Sequence, residues 1–199
     1  MYVQDVGHCH GSDLPACPLL GAAGKQYTRR EQFDCVGQFM HDVDALIAKA
    51  DDLTAAVRRF GTAIVCSLAQ GFSLLPITDA LAKELVVYQP GAKDVLTKPL
   101  RYLSDELQVL AAEISHHTPV AYISTYYFGG QGGQDAVVWD KGSVRFSPST
   151  KGYSQGWPNS PISQALRMIG VVAEEGQDEF DSLGLGKHRK THQWAEAGK

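Results

Sequence analysis

The apolar residues in the first third of the chain recur at steps of three and four positions. They run as Phe33, Val36, Met40, Val43, Ile47, Ala50, Leu53, Val57 and Phe60. This spacing places them on one face of an α-helix. Thr28 and Glu31 have the spacing of a capping box, which marks a helix start at Thr28. The pattern predicts a long N-terminal amphipathic helix over residues 28–60, either kinked near residue 50 or divided there into two helices.

The helical pattern returns further along the chain. A short helix is predicted after Thr78, a longer one from Pro99 to His116, and a last one from Ser160 to Gly170. The same spacing predicts their inward faces. These comprise Leu81, Leu85 and Val86 in the first, Leu100, Leu103, Leu107, Leu110, Ala111 and Ile114 in the second, and Leu166 and Ile169 in the third.

After Pro119 the hydrophobic pattern changes to a period of two. It predicts a strand over 120–128, a partner over 134–139 across a glycine-rich turn, and a third strand over 143–146. These form an antiparallel β-meander. The apolar run 62–68 is typical of a central strand and is predicted to add a fourth. Because helices and strands come in blocks, the predicted fold class is α+β, an antiparallel β-meander of about four strands packed against helices.

The length of 199 residues fits one domain with short appendages. Residues 1–27 lack periodicity and are rich in glycine and proline, which indicates an irregular N-terminal arm. Residues 28–185 are predicted to form a single α+β domain. Residues 186–199 carry several basic side chains, and we interpret them as a solvated basic C-terminal tail.

Composition narrows the classes of partner. The apolar fraction of 44% and charged fraction of 20% are those of an ordinary globular protein. A net charge of −4 gives no general attraction to phosphate backbones, so we expect no nucleic-acid partner. The apolar stretches are far shorter than the ~20 residues of a membrane span. The start of the chain lacks a leader pattern, and Cys9, Cys17, Cys35 and Cys66 are interpreted as reduced thiols of a cytoplasmic protein.

The glycine-rich segment Phe128-Gly-Gly-Gln-Gly-Gly-Gln134 invites comparison with phosphate-binding loops. Such loops run from a strand into a helix, whereas the residues after these glycines have a strand pattern. A hairpin tip is therefore the better interpretation. Its neighbouring rings and amides suit recognition of another protein. The candidate partner-binding residues here are Tyr126, Tyr127, Gln131, Gln134 and Trp139.

Candidate catalytic and metal-binding motifs are incomplete. The group His8, Cys9, His10 and Cys17 lacks the second ligand pair that a structural zinc site uses. His188 and His192 lack the glutamate of a metalloprotease helix, and no nucleophile elbow occurs. The sequence therefore predicts no enzyme, metal or cofactor.

An acidic cluster lies near the end of the chain, at Asp178, Glu179 and Asp181. A solvated helix start accounts for these carboxylates. The alternative is an acidic patch that captures a basic partner, so all three are candidate partner-binding residues.

A family resemblance begins at Val120-Ala-Tyr-Ile and continues through Phe128-Gly-Gly-Gln-Gly-Gly-Gln134 to Trp139. This pattern of strand, glycine-rich turn and strand ending in tryptophan resembles an uncharacterised family of small bacterial proteins. The segments 71–78, 162–166 and 178–189 fit the same pattern, so the resemblance covers roughly residues 60–190. These proteins in turn resemble the immunity partners of bacterial polymorphic toxins, which bind a cognate toxin and block its active site.

The resemblance implies a non-enzymatic inhibitor that occludes a cognate protein toxin. The alternative is a small-molecule-binding domain, or an enzyme whose pocket lies between the meander and the helices. A homodimer through the predicted 28–60 helix is a further hypothesis.

Overall fold

A six-stranded antiparallel sheet forms the centre of the fold. The computed structural model describes residues 40–88, 103–128, 131–147 and 159–199. The strands are β1 (Met40–Lys49), β2 (Cys66–Ser67), β3 (Phe72–Pro76), β4 (Val120–Phe128), β5 (Gln131–Asp140) and β6 (Ser143–Phe146). Their order across the sheet is β2-β3-β1-β4-β5-β6, and every neighbouring pair is antiparallel. β1 therefore lies near the middle of the sheet, between β3 and β4.

Helices cover both faces of this sheet. They are α1 (Ala50–Val57), α2 (Asp79–Tyr88), α3 (Asp105–Ile114), α4 (Pro161–Met168), α5 (Glu179–Ser182) and α6 (Thr191–Ala197), with single 3₁₀ turns at Ala69–Gly71 and Leu185–Lys187. One face packs against α4, α5 and α6, and the other packs against α1, α2 and α3. The predicted α+β class is confirmed. None of the described helices is long and apolar enough to cross a membrane.

The two faces of the sheet produce two core clusters. Successive residues of a strand point to opposite faces. In β1, Val43 and Ile47 therefore enter the core beneath α4 and α6, whereas Leu46 and Ala48 enter the core beneath α1 and α3. A strand buried on both faces is apolar at almost every position, which is the pattern expected of a central strand.

The prediction of a long N-terminal amphipathic helix is wrong over residues 40–49, which form β1. The apolar residues of this segment fit a helical period, but the positions between them are buried as well, because helices cover both faces of the sheet. Within residues 40–60, only the eight residues of α1 are helical. Residues 28–39 lie outside the described part of the chain. The homodimer through a 28–60 helix stays a prediction, and residues 40–49 of that segment are an interior strand.

The prediction of about four strands is also wrong. The apolar run 62–68 contributes only Cys66–Ser67 as a strand, at the edge of the sheet beside β3. The strand that pairs with the other edge of β4 is β1. The meander of β4, β5 and β6 is confirmed.

Local sequence signals predicted the starts of α2 and α4 correctly, whereas α3 was predicted only in part. Thr78 Oγ1 accepts from the Leu81 amide at 3.2 Å before α2, and Ser160 Oγ accepts from the Ser163 amide at 3.2 Å before α4, as predicted. Within the described residues, the helix predicted from Pro99 to His116 spans only Asp105–Ile114 and begins after Ser104, whose hydroxyl accepts from the Leu107 amide. Residues 99–102 of the predicted helix lie outside the described part of the chain. Val86, predicted to point inward, is 53% exposed.

The prediction of a solvated C-terminal tail is wrong as well. Residues 191–197 form α6, and the Trp194 side chain is only 3% exposed within the core under α4. The thiol of Cys66 donates to the Trp194 carbonyl at 3.1 Å, which ties α6 to the edge strand β2.

The segment before α6 lies along the free edge of β1. β3 pairs only with the second half of β1, so the first half needs other partners on that side. The Asp42 amide donates to the Arg189 carbonyl at 2.8 Å, and the Asp44 amide donates to Thr191 Oγ1 at 2.9 Å. A parallel bridge joins Asp42 to Lys190. The end of the chain thus satisfies backbone groups that would otherwise form an open sheet edge.

Candidate functional site

The glycine-rich hairpin is tighter than its sequence predicts. Phe128 pairs with Gln131, and Tyr126 pairs with Gly133, so β5 begins before the second pair of glycines rather than at Gln134. A Cβ at Gly132 would overlap the Tyr126 carbonyl, and one at Gly133 would overlap the Tyr126 ring. These two glycines therefore permit a close approach between strands.

A cleft of about 270 Å³ opens beside this hairpin, on the face that packs against α4 and α6. We call it the His41 cleft. It is lined by His41 of β1, Thr125 and Tyr127 of β4, Gln134 of β5, Ser160 and Ile162 at the start of α4, Asp178 and Phe180 at the start of α5, and Arg189 before α6. His41 is paired in register with Tyr127, and Thr125 with Gln134. Strand pairing therefore sets these four side chains side by side.

His41 is the best-defined group in the cleft. Its Nδ1 lies 2.7 Å from Thr125 Oγ1, and its ring meets the Phe180 ring edge-on at a centroid distance of 5.6 Å. Its Nε2 is buried and has no hydrogen-bond partner among the described residues. Burial lowers the pKa of His41, the positive charge of Arg189 lowers it further, and Asp42 opposes the shift. The ring is therefore neutral at neutral pH.

The lowered pKa of His41 predicts a loss of stability on acidification. The unfolded chain binds a proton at this histidine below about pH 6.5, whereas the folded chain resists it. The contribution of His41 is thus complete above that pH and declines as the pH falls through the lower, folded-state pKa. We expect urea unfolding between pH 8 and 5 to show this loss and His41→Asn to show a smaller one. Parallel pH curves for the two proteins would contradict the prediction; the other histidines contribute to both and cancel.

The three carboxylates of the acidic cluster lie in different surroundings. Asp178 lines the cleft, and its Oδ1 accepts from the Asp181 amide at 2.8 Å as the cap of α5. Glu179 is 3% exposed and accepts from Arg167 Nε at 2.8 Å. Asp181 is exposed but does not line the cleft. Only Asp178 of the three carboxylates is placed to meet a ligand in the cleft.

The structure brings together three of the eight predicted partner-binding residues. Tyr127, Gln134 and Asp178 line one cleft. Tyr126 points to the opposite face of β4, where its ring lies over Gly133. The side chain of Gln131 lies outside the described part of the structure. The Trp139 side chain is fully buried in the second core cluster, so it offers no surface to a partner.

Sequence reasoning did not identify His41, Thr125 and Arg189 as members of a common site. The first lay in a predicted helix and the last in a predicted tail. Their meeting depends on the pairing of β1 with β4 and with the end of the chain. No local signal in the sequence indicates either pairing.

A second cleft, of about 290 Å³, lies where the other face of β1 meets the starts of α2 and α6. Its lining includes Asp42, Asp44, Asp79 and Lys190. The Tyr122 hydroxyl donates to Asp44 Oδ1 at 3.0 Å, and burial of this phenol raises its pKa. Within the described ranges, no group of three or more His, Cys, Asp or Glu side chains is arranged to hold a metal ion.

The two C-terminal histidines lie in different surroundings. His188 packs edge-on against the Trp194 ring at a centroid distance of 4.8 Å. His192 is exposed beside the second cleft. The contact of His188 with Trp194 gives it a packing role at the start of α6.

Comparison with protein-family models, with curated proteins and with solved structures found no match to this chain. The resemblance to immunity proteins therefore stays a prediction from the sequence.

Proposed function

We propose that this chain is a non-enzymatic protein-binding module and that its partner contacts the His41 cleft. The observation that carries the proposal is the convergence of Tyr127, Gln134 and Asp178 on one concave surface. Tyr127 and Gln134 were predicted as contacts from the glycine-rich hairpin, and Asp178 from the acidic cluster. The family resemblance suggests the kind of partner, a cognate bacterial toxin that the module would occlude.

The polar groups of the cleft are held in place by the fold itself. Thr125 Oγ1 accepts from the Val43 amide at 3.0 Å, and Gln134 Oε1 accepts from the Ile162 amide at 3.3 Å. Asp178 caps α5. Side chains that are already ordered lose less conformational entropy when a partner binds, so such a surface favours tight recognition.

Tyr127 is the strongest candidate for an anchor. Aromatic residues near the centre of an interface supply much of the binding free energy, commonly about 2 kcal/mol or more each. Tyr127 is half-buried on β4 and lies beside His41 in the sheet register. Phe180 adds a second ring to the same cleft.

The proposal is tested with the product of the neighbouring gene, expressed as a candidate toxin. We expect the chain to protect cells from it and to bind it in calorimetry. Tyr127→Ala is expected to weaken binding by about 30-fold or more, which corresponds to ~2 kcal/mol. Glu196→Ala, an exposed change on α6, is the matched control and should bind as the wild type does. Lack of protection, or an unchanged affinity of Tyr127→Ala, would contradict the proposal.

A small-molecule ligand is the second candidate, because the cleft volume of about 270 Å³ is near the lower end of ligand pockets. A thermal-shift screen of metabolites distinguishes the two. Specific stabilisation by one compound, lost in Tyr127→Ala and without any protein partner, would favour this second function.

A further inference from the structure

A row of buried polar side chains crosses the middle of the sheet on the face opposite the His41 cleft. Asp44 of β1 is paired in register with Ser124 of β4, and Ser124 is paired with Asp135 of β5. Side chains paired in this way point to the same face, with Cβ atoms about 5 Å apart. Their exposed fractions are 6%, 0% and 7%, so two carboxyl groups and a hydroxyl lie buried side by side. We call them the Asp135 row.

The two carboxyl groups of the row differ in their hydrogen bonds. Asp44 accepts from the Tyr122 hydroxyl at 3.0 Å. The Asp135 side chain forms no hydrogen bond or ion pair with the described residues. Ser124 Oγ lies close enough to the Tyr122 oxygen to lower the pKa of that phenol, but it is not aligned for a hydrogen bond with any described group. The row therefore contains two adjacent buried groups, Ser124 and Asp135, that could satisfy each other.

The titratable groups around Asp135 are mostly acids. Those on the same face of β1 and β4 are Asp42, Asp44, Tyr122 and Tyr126. α3 packs on this face against β4 and β5, and its titratable residues are Asp105, Glu106 and Glu113. Lys190 and His192 line the second cleft beside Asp44, at the end of the row that lies two strands away from Asp135. Acidic neighbours favour the neutral form of a carboxyl group.

The neutral acid would satisfy both unpaired groups of the row. Burial raises the pKa of Asp135, because a charged carboxylate is poorly solvated inside the fold. The neutral acid can donate its proton to Ser124 Oγ, so that one hydrogen bond serves both side chains. After the proton has left, the same position holds a buried carboxylate, which costs free energy unless it is paired. Asp135 lies within the paired stretch of β4 and β5, so this cost falls on the hairpin.

We propose that Asp135 is a pH-sensitive switch in the β4–β5 hairpin. The chain folds with Asp135 as the neutral acid, hydrogen-bonded to Ser124. Release of this proton to solvent at higher pH weakens the pairing of β4 with β5. The switch belongs to the hairpin itself and holds whether or not the His41 cleft binds a protein.

The direction of the pH effect follows from the raised pKa of Asp135. The unfolded chain releases this proton near pH 3.9, whereas the folded chain keeps it to higher pH. The stability that Asp135 contributes is therefore complete below about pH 3.9 and is lost as the pH rises through the folded-state pKa. A difference of one pH unit between the two pKa values corresponds to about a tenfold change in the ratio of folded to unfolded molecules.

The first test follows the Asp135 carboxyl carbon by NMR in the wild-type protein between pH 4.5 and 8. We expect it to titrate within this range. The backbone amides around Asp135 in β4 and β5 should shift with the same midpoint, and those of β3 should not. A carboxyl group that does not titrate in this range, whichever form it holds, overturns the inference. Hairpin amides that do not respond at its midpoint overturn it as well.

The second test compares urea unfolding of the wild type with Asp135→Asn, which removes the charge but keeps nearly the same shape. At pH 8 the variant should unfold at a higher urea concentration, and its advantage should shrink as the pH falls towards 4.5. His41 is present in both proteins, so its own pH effect cancels. If Asp135→Asn is no more stable than the wild type at pH 8, the inference fails; the wild-type titration decides the matter if the variant does not fold.

Asp140→Asn is the matched control. It makes the same change on the same strand, but the Asp140 carboxylate is partly exposed and lies 3.9 Å from Arg145 Nε. It removes one negative charge from a chain of net charge −4, as Asp135→Asn does. We expect no gain in stability at pH 8 from this variant. An equal gain in both variants would show an effect of net charge alone and would overturn the assignment to Asp135.

Discussion

Trp194→Ala is expected to lower the free energy of unfolding by about 3–5 kcal/mol, the usual cost of truncating a buried tryptophan. The ring lies in the core beneath α4 and is 3% exposed. Its loss would leave a cavity between α6 and the sheet. It would also loosen the contact of α6 with Cys66, whose thiol donates to the carbonyl of the same residue. Urea unfolding followed by circular dichroism measures the effect.

Glu196→Ala is the control for this substitution. It lies two residues away on the same short helix but is exposed, so its effect should stay within about 0.5 kcal/mol. If both variants unfolded at the same urea concentration as the wild type, residues 186–199 would be a solvated tail after all.

Trp139→Ala is expected to destabilise the protein by a comparable amount, about 3–5 kcal/mol. Its side chain is fully buried in the second core cluster, opposite the His41 cleft. Trp139→Phe should cost less, because the phenyl ring fills part of the space. Thermal and urea unfolding of the two variants give the order of the effects.

Partner binding distinguishes Trp139 from Tyr127. Trp139→Phe should keep the affinity for the partner, since the ring has no surface to offer. Tyr127→Ala should lose affinity with a smaller loss of stability, because its side chain is only partly buried. If the Trp139→Phe protein folds but no longer binds the partner, this prediction is wrong and Trp139 belongs to the contact surface.

The elements predicted well from the sequence are those with local signals. α2 and α4 follow a hydroxyl cap, and β4 to β6 alternate in period two with short turns between them. These signals come from residues close together in the sequence, so they can be recognised in it directly.

β1 could not be predicted in the same way. Its residues at steps of three and four are apolar, as in an amphipathic helix. Ala45, Leu46 and Ala48 between them are apolar as well, as in a strand buried on both faces, so the segment fits both patterns. The strand is selected by partners distant in sequence, namely β3, β4 and the segment before α6. Tertiary contacts of this kind override local helix propensity.

The candidate site could be predicted only in part, because its assembly also depends on contacts between residues distant in sequence. Tyr127, Gln134 and Asp178 have side chains typical of recognition surfaces and could be selected by type. His41 and Arg189 reach the site only because β1 is a strand and because the end of the chain lies beside it. Glu179 was selected by its charge, but its hydrogen bond with Arg167 depends on tertiary packing and cannot be recognised in the sequence.

The pairing of β1 with the segment before α6 has a consequence for protein synthesis. The Asp44 amide and its acceptor Thr191 lie 147 positions apart. During translation β1 therefore leaves the ribosome long before the segment that covers its edge is synthesised. In that interval the nascent chain exposes an apolar strand with open backbone groups, the kind of surface that chaperones bind and that aggregates form from. The sheet edge at β1 is closed only when residues 189–191 have left the ribosome.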